Sequence, residues 1–275
     1  MDLQYAKQQF ERYLDNYDRK DDKVRLKIAH TYGVVECSRQ LAERMGLSKE
    51  DKELAQLIGL LHDIGRFEQV KRFDSFEPTV MDHAAFGVQI LFEEDVPNGH
   101  TVTHAHSGRQ TYVRQGMIQQ FVKEDRWDGI IRTAIAKHSD FKLEGIANER
   151  ELLHAKIIRD ADKLDNCRVK IADAVETILE VPAQEVGKEE ISAEVMEQFL
   201  RGESILSPAR KTKMDYWLSY LAYFFDINFN ETMDIIREKK YAERIIDRIP
   251  YSNPKTAKQM EKVREILVSY IKRGI

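Results

Sequence analysis

Cysteine, proline and glycine are scarce in this sequence. It has only 2 cysteines in 275 residues, so a fold held together by several disulfides is not expected, and a reduced, cytoplasmic setting is. Its 13 glycines and 6 prolines indicate few loops and therefore a helix-rich fold. No run approaches the roughly 20 apolar residues of a membrane span, and the amino terminus lacks the apolar core of a signal peptide, so we expect no membrane partner.

An excess of basic charge is also missing. The 43 lysines and arginines face 47 aspartates and glutamates, which gives a net charge of −4. No overall positive field would therefore draw the chain to a nucleic-acid polymer or an anionic membrane. The length is enough for one large domain, or for a domain with an appended half.

Apolar residues recur with the helical period along most of the chain, and no series of alternating strands is visible. The sequence therefore predicts an all-α fold. The predicted helices lie at 24–45, 48–65, 82–93, 112–122, 127–138, 148–179, 188–201, 211–225, 230–239 and 255–272. We expect Gly65 to end the second of them, and we expect the polar segment 99–109 to form a loop or lid.

The strongest chemical signal is the pair His62-Asp63, which lies in the segment Leu-Leu-His-Asp-Ile-Gly-Arg. Burying a carboxylate beside an imidazole is unfavourable unless both groups are paired or bound to an ion. A divalent cation would satisfy both, because imidazole nitrogen and carboxylate oxygen are good ligands for first-row metals. Taken alone, the dipeptide leaves open a second interpretation, a His–Asp pair at a helix end with no metal.

Two distant residues complete a pattern with this pair. His30 lies on the apolar face of a predicted helix, and Asp162 lies in the segment Asp-Ala-Asp-Lys-Leu-Asp. The order His30, His62-Asp63, Asp162 on successive helices resembles the HD superfamily of metal-dependent phosphohydrolases, over about residues 24–180. The resemblance implies a helical bundle in which these four residues are metal ligands.

Two further histidines extend the resemblance. His83 begins a His-x-x-x-Gly-x-x-x-Leu segment that is similar to one in the dinuclear HD members, and His138 stands where those members supply another ligand. The resemblance thus implies one ion, with room for a second that shares Asp63. Either histidine could instead be structural, at a helix start or in the core. The HD-GYP signature is absent after His138, so we do not infer a cyclic dinucleotide substrate.

The resemblance also implies a reaction. Mn, Fe, Co or Ni, with Mg as a further candidate, would lower the pKa of a bound water toward ~7 and so assist attack on phosphorus. Asp63 or a neighbouring acid is expected to accept or donate the proton in this step. Arg66 and Lys163 are expected to hold phosphate oxygens, unless they are ordinary surface charges. We therefore expect a phosphohydrolase that cleaves a phosphate ester or anhydride of a small molecule, with a nucleotide-type substrate as the default.

Several alternatives stay open. Some relatives with the dinuclear ligand set hold two irons and activate oxygen, so a di-iron oxygenase is one alternative and a non-catalytic nucleotide-binding regulator is another. We expect an HD domain over residues 1–185 and a helical C-terminal extension over 186–275, packed on the same core, and a homodimer is an open alternative to a monomer. The 99–109 loop contains three histidines, His100, His104 and His106. Their spacing does not suit one helix face, so we do not assign them as metal ligands.

Overall fold

The structure, a computed structural model, describes residues 1–77, 79–92 and 116–275. Within these ranges every regular element is a helix and no strand occurs, which confirms the predicted all-α class. The chain falls into two compact units, Met1–Ala161 and Asp162–Ile275, and the division lies inside one long helix. The division at residue 185, with the extension packed on the same core, stays a prediction. In the described part of the chain no helix has both the length and the apolar character that a membrane crossing requires.

Among its described residues, the first unit contains seven helices and the start of an eighth. They are α1 (Leu3–Leu14), α2 (Asp22–Arg44), α3 (Lys49–Leu61), α4 (Ile64–Phe73), α5 (His83–Phe92), α6 (Ile118–Phe121), α7 (Asp128–Lys137) and α8 (Glu149–Ala172). Capping explains two of the starts: Ser48 accepts a hydrogen bond from the backbone of Asp51, and Asp82 accepts from the backbone of Ala84. Of the helix predicted at 112–122, the described part is helical only at α6, and residues 112–115 lie outside the description.

The prediction that Gly65 ends a helix is wrong. Helix α3 ends at Leu61, and Gly65 is the second residue of α4. A Cβ atom on Gly65 would lie 2.3 Å from the carbonyl oxygen of His83 and 2.8 Å from the backbone nitrogen of Gly87. The glycine therefore allows α4 and α5 to approach closely, because an added carbon could be accommodated only if the backbone of α5 shifted.

The prediction of one helix through residue 179 is also wrong. Helix α8 ends at Ala172, Ala174 is extended, and a short helix follows at Val175–Leu179. The guanidinium of Arg248 donates to the carbonyl oxygens of Ile171 and Asp173, which replaces the hydrogen bonds that a helix end leaves unmade. This partner is distant in sequence, so the local pattern could not indicate where the helix stops.

The second unit is also helical. After the end of α8 it contains α9 (Val175–Leu179), α10 (Ala183–Val186), α11 (Ala193–Leu200), α12 (Lys213–Ala222), α13 (Asn230–Lys239), α14 (Tyr241–Ile246) and α15 (Pro254–Arg273), with 3-10 turns at Ser207–Ala209 and Tyr223–Asp226. Trp217, Leu218 and Phe224 are buried, so the aromatic run at 217–225 contributes to a core. The predicted helix 230–239 is confirmed, whereas α10 and α14 gave no sequence signal.

Packing in the first unit fixes the junction between α3 and α4. Helix α2 packs along α3, and α5 packs against both α4 and α7. The ring of Phe67 on α4 contacts Phe10 and Tyr13 of α1, with ring centroids 5.9 and 6.3 Å apart, and the Tyr13 hydroxyl donates to the carbonyl oxygen of Ile64. Aromatic burial and this hydrogen bond therefore anchor the first turn of α4, directly after Asp63.

Candidate metal centre

His62 and Asp63 occupy the two-residue junction between α3 and α4. His62 is the C-cap of α3 and Asp63 is the N-cap of α4. The side chain of His62 is fully buried and Asp63 is 3% exposed, because the apolar face of α3 carries its carboxyl end into the core. A carboxylate at this depth needs positively charged or hydrogen-bonding partners to remain ionised.

The structure brings together all six side chains that the sequence singled out as ligands. They form two groups, and within each group one nitrogen or oxygen atom per residue lies within 4.8 Å of the others. Five of the six side chains are buried. The first group consists of His30, His62 and Asp162, and the second consists of Asp63, His83 and His138. Their roles as metal ligands stay a prediction.

The two carboxylate oxygens of Asp63 face different histidines. Oδ1 lies 3.3 Å from Nε2 of His83 and 3.6 Å from Nε2 of His138. Oδ2 lies 3.6 Å from Nε2 of His62 and 3.9 Å from Nε2 of His30. One carboxylate therefore touches both groups, which is the arrangement that a bridging ligand between two cations requires.

Backbone hydrogen bonds fix the tautomers of two imidazoles. Nδ1 of His62 lies 2.8 Å from the carbonyl oxygen of Gly59, and Nδ1 of His138 lies 2.7 Å from that of Ile135. Because a carbonyl oxygen only accepts, each Nδ1 donates a proton to it, and the Nε2 atom of each ring is turned toward the cluster. Metal-binding histidines are commonly oriented in this way, so the donor set fits a cation.

The protonation states also suit cation binding. Burial alone would raise the pKa of Asp63, but the positive charge of Lys27 and interactions with His62, His138 and His83 hold that pKa well below its usual value. Burial lowers the pKa of His83 to about 3. At neutral pH the cluster therefore combines an ionised carboxylate with a neutral imidazole, which are the forms that bind a metal.

The two cations predicted to hold phosphate have different surroundings. Nη1 of Arg66 donates to the carbonyl oxygen of Phe76 and to the side chain of Gln69, and Nε of Arg66 lies 3.6 Å from Oδ1 of Asp63. Lys163 is on α8, next to Asp162, and its ammonium pairs with Asp226 at 2.8 Å. Arg66 thus lies beside the cluster, while Lys163 already has a carboxylate partner. Their catalytic roles stay predictions.

Two residues of the site were missed at the sequence level. Nζ of Lys27 lies 2.6 Å from Oδ2 of Asp63, and Nη1 of Arg159 donates to the carbonyl oxygens of Lys137, His138 and Asp140. Each has a local signal in the sequence. Lys27 lies one helical turn before His30, and Arg159 one turn before Asp162, so each shares a helix face with a proposed ligand.

One further histidine, His154, lies in the part of the chain that the structure describes. Nε2 of His154 lies 3.1 Å from Oδ1 of Asp51, away from the two groups of the cluster. The three histidines predicted in the 99–109 loop lie outside the described residues.

Comparison with known proteins gives one match. A family model described as HD domain matches residues 28–167, which is a little more than half of the 275-residue chain and contains both groups of the cluster. No curated protein and no solved structure matches the chain.

Proposed function

Since this chain belongs to the HD-domain family, a superfamily of metal-dependent hydrolases, we propose that it is a phosphohydrolase that cleaves a phosphate ester or anhydride. The substrate we propose is a small phosphorylated molecule of the nucleotide type, acted on in the cytoplasm. The net charge of −4 supports a small molecule over a nucleic-acid polymer, because polymer binding depends on a positively charged surface.

The observation that carries the proposal is the position of Asp63 between two sets of imidazoles. Its two oxygens lie 3.3–3.9 Å from four different Nε2 atoms. Two cations that share one carboxylate can bind opposite sides of a phosphoryl group, which is a common arrangement in enzymes that hydrolyse phosphate esters. When bound, such ions would supply Lewis acidity and an activated water.

The side chains of the site have separate tasks in this proposal. Asp63 and the neutral imidazoles hold the cations, and the backbone carbonyl of Ile135 keeps the His138 ring in the correct orientation. In the described part of the chain, Nε of Arg66 is buried and makes no hydrogen bond, and it lies 3.6 Å from Asp63. A substrate phosphate could accept a hydrogen bond from this atom, so we assign Arg66 to phosphate binding ahead of Lys163.

The donor set bears on the choice of metal. Four imidazoles with carboxylates suit Mn, Fe, Co or Ni better than Mg, which prefers oxygen ligands. The same donors would suit a pair of irons, so the experiment must separate hydrolysis from oxygen chemistry.

The test combines metal analysis with a substrate screen. The protein is purified with and without oxygen, its metals are measured by plasma mass spectrometry, and phosphate release is followed with Mn over phosphomonoesters, phosphodiesters and nucleotides. We expect up to two ions per chain and metal-dependent release of phosphate. Iron with an oxygen-dependent change in absorbance, and no hydrolysis, would favour an oxygenase. Tight nucleotide binding without turnover would favour a regulator.

Two variants complete the test. Asp63→Asn should lose both the metal and the turnover, since the two oxygens of Asp63 face the histidines of both groups. His154→Gln is the matched control, because His154 is equally buried but lies outside the cluster, against Asp51. Metal-dependent turnover that survives in Asp63→Asn would contradict the proposed mechanism.

A further inference from the structure

Lys27 is a cation in contact with the proposed metal-binding carboxylate. It lies on α2, and its ammonium is 2.6 Å from Oδ2 of Asp63. This is the same oxygen that faces His62 and His30, at 3.6 and 3.9 Å. The side chain of Lys27 is 16% exposed and that of Asp63 is 4% exposed, so water screens the pair only weakly.

Lys27 and a divalent ion would compete for Oδ2 of Asp63. Without an ion, the buried carboxylate needs a positive partner, and Lys27 supplies one. An ion bound by Oδ2 would lie close to an ammonium that touches the same atom, and two cations at that separation repel. One of the two must therefore weaken the binding of the other.

Lys27 also has a second interaction partner, the ring of Phe76. Its ammonium lies 5.4 Å from the centre of the Phe76 ring, which is within the range of a cation–π contact. The backbone of Phe76 is held by a hydrogen bond from Arg66, at 2.9 Å. A lysine side chain is a flexible point charge, so the ammonium can leave Asp63 and remain over this ring.

We propose that Lys27 takes the place of a cation at Oδ2 of Asp63 in the metal-free protein and gives way when the first ion binds. The inference rests on the metal centre of the proposed function. Lys27 then has two opposite effects: it stabilises the empty site, and it lowers the affinity of the site for metal. It keeps a buried carboxylate paired during the time between folding and metal loading.

The first experiment measures Mn²⁺ affinity by competition with a chromophoric chelator. Lys27→Met should bind the first Mn²⁺ at least about tenfold more tightly than the wild type, because a neighbouring positive charge is removed. The metal-free form of this variant should melt at a lower temperature. Lys27→Arg should stay within about threefold of the wild type. Lys23→Met is the matched control: Lys23 lies one turn earlier on α2 and pairs with Asp74, so its loss should leave Mn²⁺ affinity unchanged.

The second experiment needs no variant and covers the case in which Lys27→Met does not fold. Reductive methylation of wild-type lysines is followed residue by residue with mass spectrometry, with and without Mn²⁺. Modification of Lys27 should become at least about threefold faster with the ion, while that of Lys23 should not change. Equal labelling of Lys27 in both states, or an affinity for Mn²⁺ in folded Lys27→Met that is unchanged or weaker, would overturn the inference. If the wild type binds no Mn²⁺ at all, the metal centre itself is refuted.

Discussion

Nε2 of His83 and Nε2 of His138 lie 3.1 Å apart. The hydrogen bond from Nδ1 of His138 to the carbonyl oxygen of Ile135 turns Nε2 toward the second imidazole. Two nitrogens bound to the same cation at about 2.1 Å would lie about 3 Å apart in octahedral geometry and about 3.4 Å apart in tetrahedral geometry, so the observed separation is within the range for two neighbouring ligands of one ion.

This relationship predicts that the two ions can be removed separately. His83→Ala and His138→Ala should each reduce bound Mn²⁺ from two ions per chain to one, because the first group keeps its own imidazoles. Native mass spectrometry counts the ions directly. The control is His154→Gln, which should retain both. Loss of both ions in His83→Ala would show that the two groups do not bind independently.

The sequence was sufficient to predict the ligand cluster because each ligand lies on or at the end of a helix with a clear apolar face. Apolar periodicity assigns His30 and His62 to buried helix faces, and the resemblance to the dinuclear HD members adds His83 and His138 as the second group. The structure confirms that these side chains converge. Their convergence depends on helix packing, which the order of the motifs in a known family implies but local patterns do not.

The features of the fold and the site that the sequence does not predict depend on contacts between distant segments. Lys27 meets a carboxylate on another helix, and Arg159 caps backbone carbonyls at the end of α7. The end of α8 depends on Arg248, from the far end of the chain. Gly65 was assigned to a helix end because glycine often serves there, whereas its actual role, the close approach of α5, is visible only in three dimensions.

The close approach at Gly65 predicts a variant that should disturb the second group. In Gly65→Ala the new methyl group would meet the carbonyl oxygen of His83 at 2.3 Å, so α5 must shift and carry the His83 ring with it. We expect the second ion to be lost and the free energy of unfolding to fall by about 1–3 kcal/mol. Urea unfolding and ion counting measure the two effects.

A second helical glycine provides the control. In Gly129→Ala the methyl group would lie 3.5 Å from a flexible carboxylate, that of Glu151, which is an ordinary contact. This variant should keep both ions and should be slightly more stable, since alanine favours the helix. If Gly65→Ala behaved in the same way, the crossing of α4 and α5 would not position His83.

Arg159 is expected to position His138 without touching the ions. Its side chain is 3% exposed, and Nη1 donates to three carbonyl oxygens at the end of α7, including that of His138. In Arg159→Met these carbonyls, of which that of His138 is buried, lose a charged donor, which should cost about 2 kcal/mol or more of stability. The affinity for the second Mn²⁺ should fall at least about tenfold, while the affinity for the first changes little.

The comparison for Arg159 is Arg150, which is on the same helix. Arg150 is 40% exposed and pairs with Glu50 and Asp51, away from the cluster. Arg150→Met should therefore leave both Mn²⁺ affinities unchanged. An equal loss of affinity for both ions in Arg159→Met would indicate general unfolding instead of a displaced His138.

The low pKa of His83 predicts how the metal-free protein responds to acid. Burial lowers this pKa to about 3 in the folded chain, against about 6.5 when the imidazole is exposed. Between pH ~6.5 and 3 the His83 imidazole therefore binds a proton in the unfolded chain but not in the folded chain. The contribution of neutral, buried His83 to stability is complete above pH ~6.5 and is lost as the pH falls toward 3. Between about pH 7.5 and pH 5, urea unfolding of the chelator-treated protein should show a loss of about 2 kcal/mol from this group.

The variant that isolates this effect is His83→Gln, which has no group that titrates in the same range. Its loss of stability over the same pH range should be smaller than that of the wild type by about 2 kcal/mol. The pKa of His154 is also lowered by burial, so part of the loss should remain in His83→Gln and disappear in the double variant with His154→Gln. A wild type and a His83→Gln variant with the same dependence on pH would mean that His83 is already protonated in the folded protein, and its lone pair would then be unavailable to a metal.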